Sequence, residues 1–203
     1  MNPGEEMVEV VDEDGIVIDV VSRAEMRAGV LRHRSTYVAV VRPDDRLVVH
    51  RRADWKDINP GYWDIAFGGV AGVGESWPMA AERELAEEAG VVDVPLTDLG
   101  RGAYDAEDGH IVAALFLART DKRIVPEDGE VVEIGEVPLS DLDAWARSHN
   151  VCGDSMALIA PFLRQLAATV PDEDAHRQGD RPIRPSSNST ESPSPDCSKN
   201  LNP

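Results

Sequence analysis

The chain is short of cysteine, of aromatic rings and of positive charge. Two cysteines, Cys152 and Cys197, occur in 203 residues. That is too few for a disulfide scaffold, and their spacing is not that of a zinc site. A reducing, cytoplasmic setting is expected. Lys and Arg number 20 against 38 Asp and Glu, a formal net charge of -18. A grip on a nucleic-acid polymer is excluded, because such binding needs cationic side chains to replace phosphate counterions. An anionic membrane surface is disfavoured on the same ground. No apolar run approaches the roughly 18 residues of a spanning helix. The opening Met1-Asn2-Pro3-Gly4-Glu5-Glu6 lacks the apolar core of a signal peptide. A soluble protein is expected. A small phosphorylated molecule still suits an acidic chain, provided a few basic groups or a metal ion meet its phosphates.

Large apolar residues all but disappear beyond Pro171. From there to Pro203 the chain holds six Pro and six Ser, too little apolar surface to offset the entropy of ordering. Residues 171–203 are expected to be a disordered tail, and residues 1–170 the folded domain. Setting aside the tail's six acidic and four basic residues leaves that domain 32 acidic against 16 basic. The charge belongs to the domain.

Within 1–170, Val8–Val11 and Ile16–Val20 flank Asp14-Gly15, a hairpin signal. Arg23 to Leu31 reads as a short helix. Tyr37–Val41 and Leu47–His50 flank Pro43-Asp44-Asp45, a second hairpin. Trp63 to Val73 suggests a strand running into a loop. Trp77 to Ala89 reads as a helix capped by Ser76, with Pro78 in its first turn and Gly90 at its end. Strands are expected at Leu99–Asp105, Ile111–Ala118 and Val131–Val137. Ser140 and Asp154 read as caps of two closing helices, the second broken or kinked at Pro161. Strands and helices follow no regular βαβ rhythm, which favours a mixed α/β sandwich over a doubly wound sheet.

The informative stretch runs from Gly69 to Val91. On a helix, Glu84, Glu87 and Glu88 share an arc of roughly 100°. Like charges so spaced repel, yet clustered carboxylates are what a hard cation such as Mg²⁺ or Mn²⁺ requires. Arg83 stands four residues before Glu87 and is placed to reach Glu75 in the preceding loop. Trp77, Ala81 and Leu85 follow i, i+4 spacing on another face and are expected to anchor the helix. Three glutamates alone would read as a solvated acidic face. The full pattern is more specific: Gly69, five residues, Glu75, seven residues, then Arg83-Glu84-Leu85-Ala86-Glu87-Glu88-Ala89-Gly90-Val91. It matches the Nudix box, G-x5-E-x7-R-E-U-x-E-E-x-G-U with U aliphatic, at every defined position. The chain is identified on these residues as a member of the Nudix superfamily.

The resemblance implies an α/β/α sandwich with a mixed sheet, and hydrolysis of diphosphate linkages with Mg²⁺ or Mn²⁺. It implies Glu84, Glu87, Glu88 and the Gly69 carbonyl as metal ligands, with Arg83 orienting the glutamates and Glu75 supporting Arg83. The general base is implied to be Glu84 or an acidic residue after the box, for which Glu130 and Glu133 are the candidates. A homodimer is also a family-level expectation. A narrower resemblance precedes the box. Leu31-Arg32-His33-Arg34-Ser35, Arg51-Arg52-Ala53-Asp54-Trp55-Lys56 and Pro60-Gly61-Tyr62-Trp63 resemble isopentenyl-diphosphate isomerase and, more closely, its hydrolase-like relatives. It implies Arg52 and Lys56 as contacts to the substrate diphosphate and His33 as a metal-ligand candidate. Phe67, however, stands where the isomerase has its catalytic cysteine, and Val70 lies near one of its metal-binding histidines. A phenyl ring shuttles no proton at carbon.

The expected function is divalent-metal-dependent cleavage of a diphosphate in a nucleoside diphosphate derivative or related compound. The alternatives are an isomerase-like enzyme and a non-catalytic binding or regulatory module. Trp55, Tyr62, Trp63 and Tyr104 are aromatic candidates for stacking a base. Deleting residues 171–203 is expected to leave melting temperature and turnover unchanged. A clear fall in melting temperature on truncation would place the domain boundary elsewhere.

Overall fold

The computed structural model describes residues 3–107, 109–126 and 129–169. Met1, Asn2, Asp108, Glu127, Asp128 and residues 170–203, which include the expected tail, lie outside the described residues.

Both hairpins form. Strands β1 (Met7–Val11) and β2 (Val17–Ser22) pair antiparallel. Ser22 then opens α1 (Arg23–Ala28) through a capping box: its hydroxyl accepts the Glu25 amide, and the Glu25 carboxylate accepts the Ser22 amide. Strand β3 (His33–Val41) turns into β4 (Arg46–Arg52), but the two pair only at Val41 and Leu47. Beyond that point β4 leaves to pair with β5 (Trp63–Asp64) and β8 (Val131–Pro138). The gap beside β3 is taken by the segment after β5, whose Phe67 and Val70 bridge to Val38 and Ser35. The expected strand from Trp63 to Val73 is therefore a two-residue strand followed by isolated bridges. Strand β3 also lies parallel to β7 (Gly109–Arg119), in register from His33–Ile111 to Val41–Arg119, and β7 pairs antiparallel with β6 (Leu96–Ala106). The sheet is mixed.

Period-two alternation along β3 divides the core in two. Val38 and Val40 point to one side, where they join Phe67 and the Ala81 and Leu85 side chains of α2 (Trp77–Ala89). Tyr37, Ala39 and Val41 point to the other, against Leu158, Ile159, Ala160 and Leu163. These last belong to or join α4 (Gly153–Leu158) and α5 (Ala160–Thr169), which follow the short α3 (Leu142–Ala146). Helices on both faces of one sheet make the expected α/β/α sandwich. Among the described residues, no helix is long and apolar enough to cross a membrane.

Helix α2 spans the expected residues, and its end has a steric reason. Gly90 sits at φ +64, where a Cβ would lie 2.4 Å from the Val125 carbonyl oxygen. Three expected caps differ from what forms. Ser76 occupies the N-cap of α2 but makes no side-chain capping bond, and Pro78 removes one N–H from that first turn. Ser140 lies within a 3₁₀ turn, donating to the Asp141 carboxylate at 3.1 Å, and Asp141 is the N-cap of α3. Asp154 falls inside the first turn of α4, whose N-cap is Cys152, and its carboxylate accepts the Tyr37 hydroxyl at 2.7 Å. The closing helices part at Ile159, two residues before Pro161. Pro161 lacks an N–H and fits the first turn of a new helix, where no intrahelical acceptor is needed.

Leu85 is 2% exposed and holds the carboxylate helix to the sheet. Leu85→Ala is expected to lower unfolding free energy by about 2–5 kcal/mol. Denaturant titration reads it; a loss below about 1 kcal/mol would mean that α2 is anchored elsewhere.

Candidate active site

The loop between Gly68 and Ser76 lies on α2, and one guanidinium holds it there. Arg83 donates through Nε and Nη2 to both oxygens of Glu75, at 3.1 and 3.0 Å. Its Nη1 reaches Glu84 Oε1 at 2.7 Å and Glu87 Oε2 at 3.1 Å, and Nη2 also reaches the Val70 carbonyl at 3.2 Å. The Glu75 hydrogen bonds raise the Arg83 pKa and keep that of Glu75 low. A second ion pair braces the loop from outside the box. Arg34 meets Glu9 at 2.7 Å and the Glu75 carbonyl at 3.0 Å, Glu9 accepts the Gly74 amide at 2.8 Å, and Arg34 stacks on Trp77. Arg34 stands 41 residues from Glu75 and Glu9 stands 65 from Gly74, so no local spacing ties either to the loop.

The three glutamates of the helix are not equivalent. Glu87 is exposed, whereas Glu84 and Glu88 are 9% and 4% exposed. Burial pushes Glu84 up to about 7, against the pull of Arg83. Burial, followed by the charge of Glu84, pushes Glu88 up to about 8, and the Gly68 amide donates to its Oε2 at 2.9 Å. A Cβ on Gly69 would stand 2.7 Å from Glu84 Oε2, so a larger residue there would have to displace that carboxylate. The Gly69 carbonyl accepts the Thr36 amide at 2.9 Å and keeps a second lone pair.

Among the described residues, no three His, Cys, Asp or Glu side chains converge as a ready metal cage. Arg83 stands between Glu84 and Glu87 and takes one oxygen of each, leaving Glu84 Oε2 and Glu87 Oε1 as the remaining donors. The set nevertheless suits a hard divalent cation: carboxylate and carbonyl oxygens only, with two buried acids whose charge the protein alone does not offset.

This face opens on a cavity of about 1000 Å³. Its wall includes Arg52, Lys56, His33 and Glu130 of the expected residues, and omits Glu133. Glu133 instead faces Arg51 across β4 and β8, 3.3 Å away on the exposed side. Arg52 donates to the Ile58 carbonyl and lies 3.9 Å from Asp64; Lys56 pairs with Glu130. His33 Nδ1 faces the Leu31 carbonyl at 3.0 Å, which places its proton there, and burial lowers its pKa to about 4. Neutral His33 therefore keeps a free Nε2 lone pair. Of the aromatic candidates only Tyr104 lines the cavity, while Trp63 packs edge-on against Trp145 in the core. Phe67 is fully buried and stacks on His50 at 4.5 Å, away from the cavity wall. Tyr37, Asp64, Cys152, Asp154, Arg23 and Arg27 also line the cavity. They come from β3, β5, α1 and the start of α4, elements that no single spacing joins.

The NUDIX domain family matches residues 31–152. The chain is 32% identical over 162 residues to the Nudix hydrolase YfcD of Escherichia coli K12, covering 80% of this chain and 89% of the relative. It is 40% identical over 158 residues to a Nudix hydrolase of Yersinia pestis, covering 78% and 86%. Among solved structures, DR0079 from Deinococcus radiodurans superposes with a TM-score of 0.65 at 20% identity, over 79% of this chain and 98% of that one. The NUDIX domain of Shewanella oneidensis NrtR, complexed with ADP ribose, gives 0.56 at 19% identity, over 72% and 99%.

Raised carboxyl pKa values set a pH dependence. The folded chain keeps protons on Glu84 and Glu88 that the unfolded chain, near the ordinary 4.5, has released. Their contribution to stability is therefore complete below that value and is lost as pH rises through 7 and 8. In chelator, melting temperature should fall from about pH 5 to about pH 9. Mg²⁺ should restore it most at the alkaline end, because cation and protons compete for the same oxygens. Glu88→Gln should flatten the fall. A melting temperature independent of both pH and Mg²⁺ would mean that these carboxylates hold neither.

Proposed function

Because this chain belongs to the Nudix hydrolase family and is thereby a pyrophosphohydrolase, we propose that it cleaves the diphosphate linkage of a nucleoside diphosphate derivative with Mg²⁺ or Mn²⁺. The observation that carries the reading is a single cavity lined by both the Arg83-braced glutamates and the cations Arg52 and Lys56. In a chain of net charge -18, cations lining that cavity meet the need of a phosphorylated substrate. The ADP ribose bound by the NrtR domain supports the nucleotide class.

Glu84, Glu87, Glu88 and the Gly69 carbonyl would hold the cation, which supplies neutralisation of phosphate charge and an acidified water. Arg52 and Lys56 bind the diphosphate; Lys56 does so by exchanging Glu130 for a phosphate oxygen. Arg83 ties the Glu75 loop to the helix and holds Glu84 and Glu87 beside the cavity. The base is one of the two candidates on the cavity wall, Glu84 or Glu130. Glu133 lies outside the cavity wall and is not assigned. Isomerisation at carbon is disfavoured by Phe67, which offers no proton and is packed in the core. The free, buried Cys152 agrees with a cytoplasmic setting.

A panel of nucleoside diphosphate derivatives assayed with Mg²⁺ or Mn²⁺ should release nucleoside monophosphate or phosphate. Glu87→Gln and Glu88→Gln should each lower kcat at least about 10²-fold with the fold intact, since each removes charge from the cation site. Near-wild-type turnover in both, at saturating Mg²⁺, would show that the metal is held elsewhere.

A further inference from the structure

Helix α1 brings charge to the cavity that the reaction just described does not use. Met26 packs with Val8 and Val70, which holds the helix beside the loop of the Nudix box. Arg23 and Arg27, one turn apart, both line the cavity. Arg23 is answered by Glu6 at 3.1 Å. Arg27 is answered less well. Its side chain is 26% exposed, and its ion-pair partner Asp57 is 56% exposed and stands 3.4 Å from Nε. That Nε is enclosed and makes no hydrogen bond. Nη1 and Nη2 are not enclosed, and they donate to none of the described residues. The open end of a guanidinium fork thus lies on the cavity wall.

The surroundings select the sign of what binds there. Burial lowers the Arg27 pKa against the pull of Asp57, and the charges of Arg23 and Arg52 lower it further. Arg27 and Arg23 also act on His33, so a metal ion at His33 would meet two guanidinium charges. An anion relieves this crowding and a cation increases it. Charge on the substrate then separates two sites. A disubstituted diphosphate carries two negative charges, which Arg52 and Lys56 match. Those cations come from β4 and the turn after it, whereas Arg27 comes from α1. The diphosphate clamp is complete without Arg27.

We infer that Arg27 is the centre of a second anion subsite, which takes a phosphate group that the substrate carries in addition to the diphosphate that is cleaved. This rests on the reading of the cavity as a diphosphate site and adds a requirement on the molecule that fills it. A guanidinium bonds two oxygens of such a group at once. The extra phosphate is either a further link in the phosphate chain or a monoester on a sugar.

Binding tests this apart from turnover. Calorimetry on the full chain with Mg²⁺ takes a methylene-bridged nucleoside diphosphate ribose as the reference ligand. Two further ligands add one phosphate to it, as a sugar monoester or as a third link in the chain. At least one of them should bind wild type about 10-fold or more tightly than the reference, the lower end for a charge-assisted contact. With no cation to meet it, an added phosphate weakens binding to a chain of net charge -18. A wild-type ratio near or below one for both ligands therefore overturns the inference, without any variant having to fold. Arg27→Met keeps the apolar stem and should erase the ratio. Arg27→Lys keeps the charge without the fork and should lower the ratio at least about 3-fold, a readout that stands if the methionine variant does not fold. Arg52→Ala should weaken all three ligands and leave the ratio in place. A ratio that survives both Arg27 variants, or falls equally in Arg52→Ala, would assign the added phosphate to the clamp and overturn the inference. The ligand with the higher ratio identifies the source of the phosphate. Turnover of the parent compounds without such a ratio would sink this inference and leave the hydrolase reading standing. A ratio without turnover would do the reverse.

Discussion

The contact on which the site depends is the Arg83 guanidinium. It is the cation that Glu75, Glu84 and Glu87 share, and it also reaches the Val70 carbonyl. Without it, three acids would face one another across a loop and a helix. With it, the loop is tied along its length to the helix beneath. A lysine in its place would supply charge without the planar fork that bonds both Glu75 oxygens. Glycine at position 69 leaves the Glu84 carboxylate its place, since a Cβ there would have to push it aside.

The same geometry carries a cost that has a use. Helix α2 presses Glu84 and Glu88 toward the sheet, where burial raises both pKa values into the neutral range. An acidic domain thus holds its most consequential acids where water does not stabilise their charge. A divalent cation resolves that conflict and hydrophobic packing does not, so the cavity is suited to a charged cargo. The expected cluster of three like ligands is in fact two buried acids and one exposed one. The helix places them by angle, and the sheet then covers only two.

The sheet also explains why one cavity gathers residues from all over the chain. Strands β3 and β4 separate after a single pair, and the segment after β5 fills the opening. That split carries Gly68 and Gly69 to the carboxylate helix while β4 delivers Arg52. Strand β3 meanwhile sends Tyr37 to the opposite face, where α4 supplies Asp154.

Much of this was legible in the sequence because it is local. The limits of α2, both hairpins and the Arg83–Glu75 contact depend on residues within a few positions or within one continuous motif. The Nudix box therefore declared family, fold and chemistry on its own. Side-chain environment was not legible. Ser76, Ser140 and Asp154 have the local pattern of caps, yet Asp154 is drawn away by a tyrosine 117 residues distant. Glu130 and Glu133 looked alike by spacing, and only the β4–β8 register turned one into the cavity and the other toward Arg51. Backbone hydrogen bonds and steric limits act between near neighbours, so sequence determined where the helices and strands lie. Desolvation and ion pairing act wherever distant segments meet, so only the tertiary structure decided which acids are buried, which are paired and which line the cavity.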